Sequence, residues 1–163
     1  MSSENTILPL TEMRLRLRSQ PLFKEFHDEE LDALLALLEP EYFSDREMIV
    51  RQGEVGDCMY LVVDGRARVL HQKGGHAVEL AVLACGDFFG EIALVGQGPR
   101  SADVESVERC VLLKISQASI SALVGVYPAA GYKLLIGIGR ILVERLRASN
   151  QRYVDSLLFP TGA

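Results

Sequence analysis

The chain has 163 residues, 48% of them apolar, and 22 acidic against 17 basic side chains give a formal net charge of -5. That length and apolar content suit one domain with a well-buried core, and the acidic balance excludes a nucleic-acid binder that works through its whole surface. Three cysteines, Cys58, Cys85 and Cys110, are too few and too widely spaced for a disulfide framework or a paired-cysteine zinc site, and they read as buried thiols of a reducing compartment.

The N-terminus MSSENTILPLTEMRLRLR has no basic start followed by a long apolar run, and the longest apolar candidate, residues 134–143, is interrupted by Arg140. The expectation is a cytoplasmic soluble protein with no membrane span. Residues 1–20 read as an N-terminal extension, loose to Pro9 and then a short helix over 10–18. There Met13, Leu15 and Leu17 alternate with Arg14, Arg16 and Arg18, a period of two, but the residue types favour helix, with the arginines as a solvated face. After Pro21, the spacing of Leu31, Leu34, Leu35 and Leu38 predicts an amphipathic helix over 27–38, acidic in its first turn and closed by Pro40.

The period then changes. Short apolar or alternating runs at 48–50, 59–63, 66–70, 77–83, 102–106 and 110–115 are separated by turn signals at Gly53, Gly56, Asp64-Gly65, Gly74-Gly75 and Gly86-Asp87. Many short strands at this spacing predict an antiparallel β-roll or jelly roll, an α+β fold that is mainly β, occupying 21–126 with its flanking helices. A helix over 120–126 follows, then a long one over 127–158 and a tail at 159–163. In the long helix Leu135, Ile138, Leu142, Leu146, Ser149, Tyr153 and Leu157 form a stripe that could seal the roll, pair with its twin in a homodimer, or both. Gly137-Ile138-Gly139 follows no strand and lacks a third glycine, so it reads as close helix packing and not as a dinucleotide fingerprint.

Residues 89–104 read FGEIALVGQGPRSADV. They place Gly90 and Glu91 at the mouth of one short helical turn, then return with Arg100 and two small residues, Ser101 and Ala102. Backbone N–H groups at a helix start and a two-pronged guanidinium both attract a phosphate. Glu91 would be repelled by that phosphate, so its natural target is a ribose hydroxyl. With IVRQGEVGDCMYLVVDG at 49–65, the run FGEIAL, VGQGP and RSADV resembles the cyclic nucleotide-binding domain family of catabolite activators, protein kinase regulatory subunits and gated channels. The resemblance spans about residues 23–157.

That resemblance implies a ligand, cyclic AMP or cyclic GMP, and no cofactor or metal. Arg100 would bind the exocyclic phosphate oxygens with backbone N–H groups of Ile92, Ala93 and Ser101. Glu91 would accept the ribose 2′-OH, and Gly90 would let the backbone come close. Val69, Leu80 and Leu83 match positions that face the base. In the long helix, ERLRASNQRYV resembles the portion that caps the base, so that Ser149 and Asn150 would reach the purine edge and Arg145 would approach Glu91. The Ser149-Asn150 pair favours cyclic AMP over cyclic GMP.

An enzyme finds no support: the His-x-His and later ligands of a metal-dependent cupin are absent, and no cysteine has a base beside it in sequence. No helix-turn-helix follows the long helix before Ala163, so DNA binding is not expected and output would pass through dimerisation or a separate effector protein. The alternative is a dimeric interaction scaffold with the same roll that binds no nucleotide.

Overall fold

Where the sequence changes period, the computed structural model, which describes residues 7–96 and 98–160, changes from helix to strand. Helix α1 (Leu10–Arg18) forms despite its alternating pattern, because Met13 and Leu17, four apart, share one buried face. Its arginines are more than a solvated face. Arg14 pairs with Asp32 at 2.9 Å, Arg16 with Glu12 and Asp64, and Arg18 with Asp28 at 3.2 Å. After a 3-10 turn at Pro21–Phe23, helix α2 (Asp28–Ala36) opens with the Glu30 carboxylate accepting the His27 backbone N–H at 2.8 Å. Pro40 does not close this helix; it opens strand β1 (Pro40–Phe43) at a sheet edge, where its missing N–H costs no ladder bond.

The remaining strands are β2 (Met48–Val50), β3 (Val55–Gly56), β4 (Cys58–Asp64), β5 (Ala67–Lys73), β6 (His76–Leu83), β7 (Phe88–Phe89), β8 (Gly98–Pro99), β9 (Asp103–Ser106) and β10 (Cys110–Ser116). Two four-stranded sheets, ordered β1-β10-β4-β7 and β2-β9-β5-β6, face each other, and β3 pairs with β8 as a separate two-stranded ribbon. Every pairing is antiparallel. The β5–β6 hairpin turns on Gly74 and Gly75, both at positive φ (60° and 79°), the double left-handed turn that a tight hairpin needs. This is the helix-flanked roll the sequence predicts.

Strand β4 is buried on both faces and divides the core. Met59, Leu61 and Val63 point into a cluster with Phe23, Phe26, Leu34 and Leu134 under the helices. Cys58, Tyr60 and Val62 point the other way, towards Val50, Leu83, Phe89 and Val104 between the sheets. Burial pushes the Cys110 thiol, in that second cluster, up to about 11. At the start of β9, the buried Asp103 carboxylate accepts the Gln52 backbone N–H at 2.7 Å and the Gln72 side-chain amide at 2.9 Å, joining the ends of β2, β5 and β9.

Helix α3 (Ile92–Val95) is one turn; α4 (Gln117–Val126) and α5 (Pro128–Leu158) close the fold. Gly137 does serve close packing, since a Cβ there would lie 2.9 Å from Leu22 Cδ1, whereas Gly139 meets nothing. Only Ala130, Gly131, Leu134 and Ile138 of α5 are buried, so the apolar stripe seals the roll in its first part alone. The base of α5 is tied down by Lys133, whose ammonium lies 2.7 Å from the Glu30 carboxylate, their side chains 20% and 8% exposed.

Burial raises the Glu30 carboxyl, but Lys133 and the His27 N–H outweigh it and hold it below the usual carboxylate range; the Gln52 N–H, then Gln72, do the same for Asp103. Both groups therefore stabilise the fold above the ordinary carboxylate range, and that contribution is lost as pH falls through their depressed values. Urea midpoints should drop below about pH 4. Lys133→Met, which strands the Glu30 charge, should cost up to about 3 kcal/mol at pH 7 and less once acid neutralises Glu30. A pH-independent loss in urea titrations would contradict this account of the pair.

Candidate functional site

A cavity of about 510 Å³ lies between the β2-β9-β5-β6 sheet, the α3 turn and α5. One end is polar: Gly90, Glu91, Ile92, Ala93, Arg100, Ser101 and Ala102 all line it. Its floor is apolar, with Val50, Val69, Leu83 and Val104 supplied by the sheet and Leu80 from the exposed stretch of β6. Its third side is the middle of α5, through Arg145, Ser149 and Arg152.

Arg100 is held on all sides. Its backbone N–H donates to the Glu54 carbonyl at 2.7 Å, and its own carbonyl accepts from Gly53 N–H at 2.9 Å. These bonds, with β3 pairing to β8, fix where the side chain starts. The guanidinium then lies between two glycines: a Cβ on Gly56 would come within 2.2 Å of Arg100 Nε, and one on Gly90 within 2.4 Å of Nη1. Gly90 also sits at φ 79°, which a side chain would strain. Nη1 donates to the Cys58 carbonyl at 2.8 Å and, more weakly, to the Gly90 carbonyl at 3.4 Å; Nη2 lies 3.6 Å from the Cys58 sulfur. Among the described residues no carboxylate pairs with this cation, so the slot is a half-buried, unneutralised positive charge at the wall of a cavity.

The neighbours of Arg100 are set with it. His71 Nδ1 donates to the Ser101 carbonyl at 3.2 Å, tying the segment between Arg100 and β9 to β5. Tyr60 stacks on Phe89 with centroids 5.3 Å apart, beneath the Gly90-Glu91 turn, and burial holds its phenol far above the usual range. Glu91 precedes α3 and is half-buried at the cavity wall. The Ala93 backbone N–H donates within the turn, to the Gly90 carbonyl at 3.1 Å.

Helix α5 differs from the sequence expectation at two positions. Arg145 does not pair with Glu91; it donates to the Phe88 carbonyl at 3.1 Å and lies 4.5 Å over the Phe88 ring, which offers both an acceptor and a π-face closer to its own turn. Ser149 lines the cavity but Asn150 does not. One residue onward rotates a helix by about 100°, whereas three or four residues return to the same face. Arg152 takes the place expected of Asn150, and the spacing of residues 145, 149 and 152 was the signal that could have found it. Gly56, legible only as a turn residue, is the other functional position that sequence reasoning missed.

Among the described residues no group of three His, Cys, Asp or Glu could hold a metal ion, and no helix is long and apolar enough to cross a membrane. Residues 40–127 match the family model of the cyclic nucleotide-binding domain. The chain is 31% identical over 135 residues to the cyclic AMP receptor protein of Thermus thermophilus, covering 82% of this chain and 61% of that protein. It is 34% identical over 113 residues to cGMP-dependent protein kinase, isozyme 1, of Drosophila melanogaster, covering 67% of this chain and 15% of the kinase. The chain thus spans less than two thirds of either relative. The crystal structure of the Thermus thermophilus catabolite activator protein superposes with a TM-score of 0.75 at 31% identity, covering 86% of this chain and 64% of that one. With its strands β1 to β10 inside the matched region and the Arg100 slot and Glu91 on the wall of the cavity, the chain belongs to the cyclic nucleotide-binding domain family.

Proposed function

We propose that the cavity binds a 3′,5′-cyclic nucleotide and that the chain is a non-catalytic sensor in the cytoplasm, acting through the packing of α5. The observation that carries this reading is the unneutralised Arg100 guanidinium at the wall of a cavity that Glu91 also lines and whose floor is apolar. A cyclic phosphate supplies the missing anion. Its ring leaves one ribose hydroxyl free to donate to Glu91, and the purine lies over Val69 and Leu83 with Leu80 at the side. Ser101 and the Ile92 and Ala93 turn border the phosphate. For Ala93 this requires its N–H to leave the Gly90 carbonyl, which is consistent with a turn that rearranges on binding. Asn150 lies off the cavity, so only Ser149 of the pair expected to favour cyclic AMP over cyclic GMP can reach the base.

Binding would draw the Gly90-Glu91 turn inward and re-pack α4 and α5 over the base. A ligand can shift such an equilibrium only by its differential affinity for the closed state. Beyond Leu142 the stripe on α5 is exposed, with Leu146 at 60%, Tyr153 at 65% and Leu157 at 63%. Spacings of three and four residues make it a coiled-coil seam, and its self-complementary occupant is α5 of a second copy related by a two-fold axis. A separate effector protein would read the rearranged helices.

Arg100→Ala should weaken cyclic nucleotide binding about 10- to 150-fold, the worth of a charge-assisted hydrogen bond. Titration calorimetry showing undiminished affinity would sink the assignment. Gly56→Ala, whose methyl must displace the guanidinium, should lower affinity while leaving the far-ultraviolet circular dichroism unchanged. Nucleotide should also raise the melting temperature with concentration; no shift at millimolar cyclic AMP or cyclic GMP would favour a nucleotide-independent scaffold. Leu146→Asp with Tyr153→Asp should convert a dimer to a monomer in sedimentation velocity, and a monomeric wild type would refute the seam.

A further inference from the structure

We propose that Arg152 reads the purine of the bound nucleotide and makes this site prefer guanine to adenine. The inference rests on the cyclic nucleotide reading above and adds to it the residue that chooses the base.

Arg145, Ser149 and Arg152 are spaced by four and three residues and all three line the cavity, so one face of α5 presents two guanidinium groups and a hydroxyl. Their commitments differ. Arg145 is engaged with the Phe88 carbonyl and ring. Arg152 has neither a hydrogen bond nor an ion pair among the described residues, and it is exposed at the rim. The carboxylates within reach along its own helix do not claim it: Asp155 accepts from Gln151 at 2.9 Å. Asp87, the acid that lines the cavity besides Glu91, accepts the Ala84 backbone N–H at 3.0 Å.

Arg100 anchors the phosphate at the polar end, so the purine of a cyclic nucleotide extends along the apolar floor towards α5. What it meets there is a set of donors. A guanidinium only donates. Guanine offers two adjacent acceptors, O6 and N7, and takes a guanidinium bidentately; adenine puts an amino group beside its N7, opposing a donor with a donor. Ser149 can donate or accept and suits either base. The discriminating group on this face is therefore Arg152, and the discrimination runs towards guanine.

Titration calorimetry of the full chain with cyclic GMP, cyclic AMP and cyclic IMP, in wild type and Arg152→Ala, tests this. Cyclic IMP keeps O6 and N7 but lacks the guanine amino group, so it should bind like cyclic GMP. Both should bind wild type about 5- to 150-fold tighter than cyclic AMP, and Arg152→Ala should remove that advantage while leaving cyclic AMP within about two-fold. Wild type that binds cyclic AMP as tightly as cyclic GMP overturns the inference, as does an equal loss for all three ligands, which would mark Arg152 as a phosphate-attracting charge. In both cases nucleotide still binds and the Arg100 site stands. Binding of none of the three overturns the cyclic nucleotide reading and this inference with it.

Discussion

A cation set into a protein wall without a carboxylate partner is costly, and the Arg100 slot shows what is arranged to hold one there. The guanidinium needs acceptors that do not cancel its charge, and the Cys58 and Gly90 carbonyls serve. It needs room, which the absent Cβ atoms of Gly56 and Gly90 provide. It needs a fixed origin, which the ribbon of β3 with β8 and the bonds to Gly53 and Glu54 supply. Each of these elements sits on a different part of the roll, so folding the two sheets is what assembles the charge. An anion that reaches the cavity then meets a preorganised partner and loses little entropy in finding it.

The second constraint is the double-sided burial of β4. With one face in the helix-covered cluster and the other between the sheets, this strand connects what happens at Cys58, beside Arg100, to the core that α2, α4 and α5 cover. Tyr60 and Phe89 carry the same connection to the Gly90-Glu91 turn. Helix α5 is anchored at Lys133 by Glu30 and again at Arg145 by Phe88, and between them it packs through Leu134 and Ile138. Past Arg145 no described residue of the same chain buries it. The helix is thus held at its base and clasped once over the cavity.

The helices and the long strands were legible because their signal is local: apolar spacing of three and four in α2 and α5, alternation in β5 and β6, and paired glycines at the hairpin between them. Strands β3, β7 and β8, two residues each, are too short for alternation to exist, and they are strands only because a partner lies beside them. Pro40 carried two local meanings, helix stop and edge-strand start, and the ladder with β10 chose the second. The arginines of α1 read as solvated because their partners Asp32 and Asp64 lie 18 and 48 residues away.

By itself, the sequence determined the class of the fold and the residue types of the site, since hydrophobic period, turn glycines and the Gly-Glu and Arg-Ser-Ala runs are properties of adjacent residues. Tertiary structure alone decided which of them act together. The Arg100 slot joins Gly56 of β3, Cys58 of β4 and Gly90 after β7, and α5 brings Arg152 and not Asn150 to the cavity, because helical rotation relative to the cavity is set by how Leu134, Ile138, Lys133 and Arg145 dock α5 onto the roll. Such contacts join residues far apart in the chain, and no spacing rule reports them.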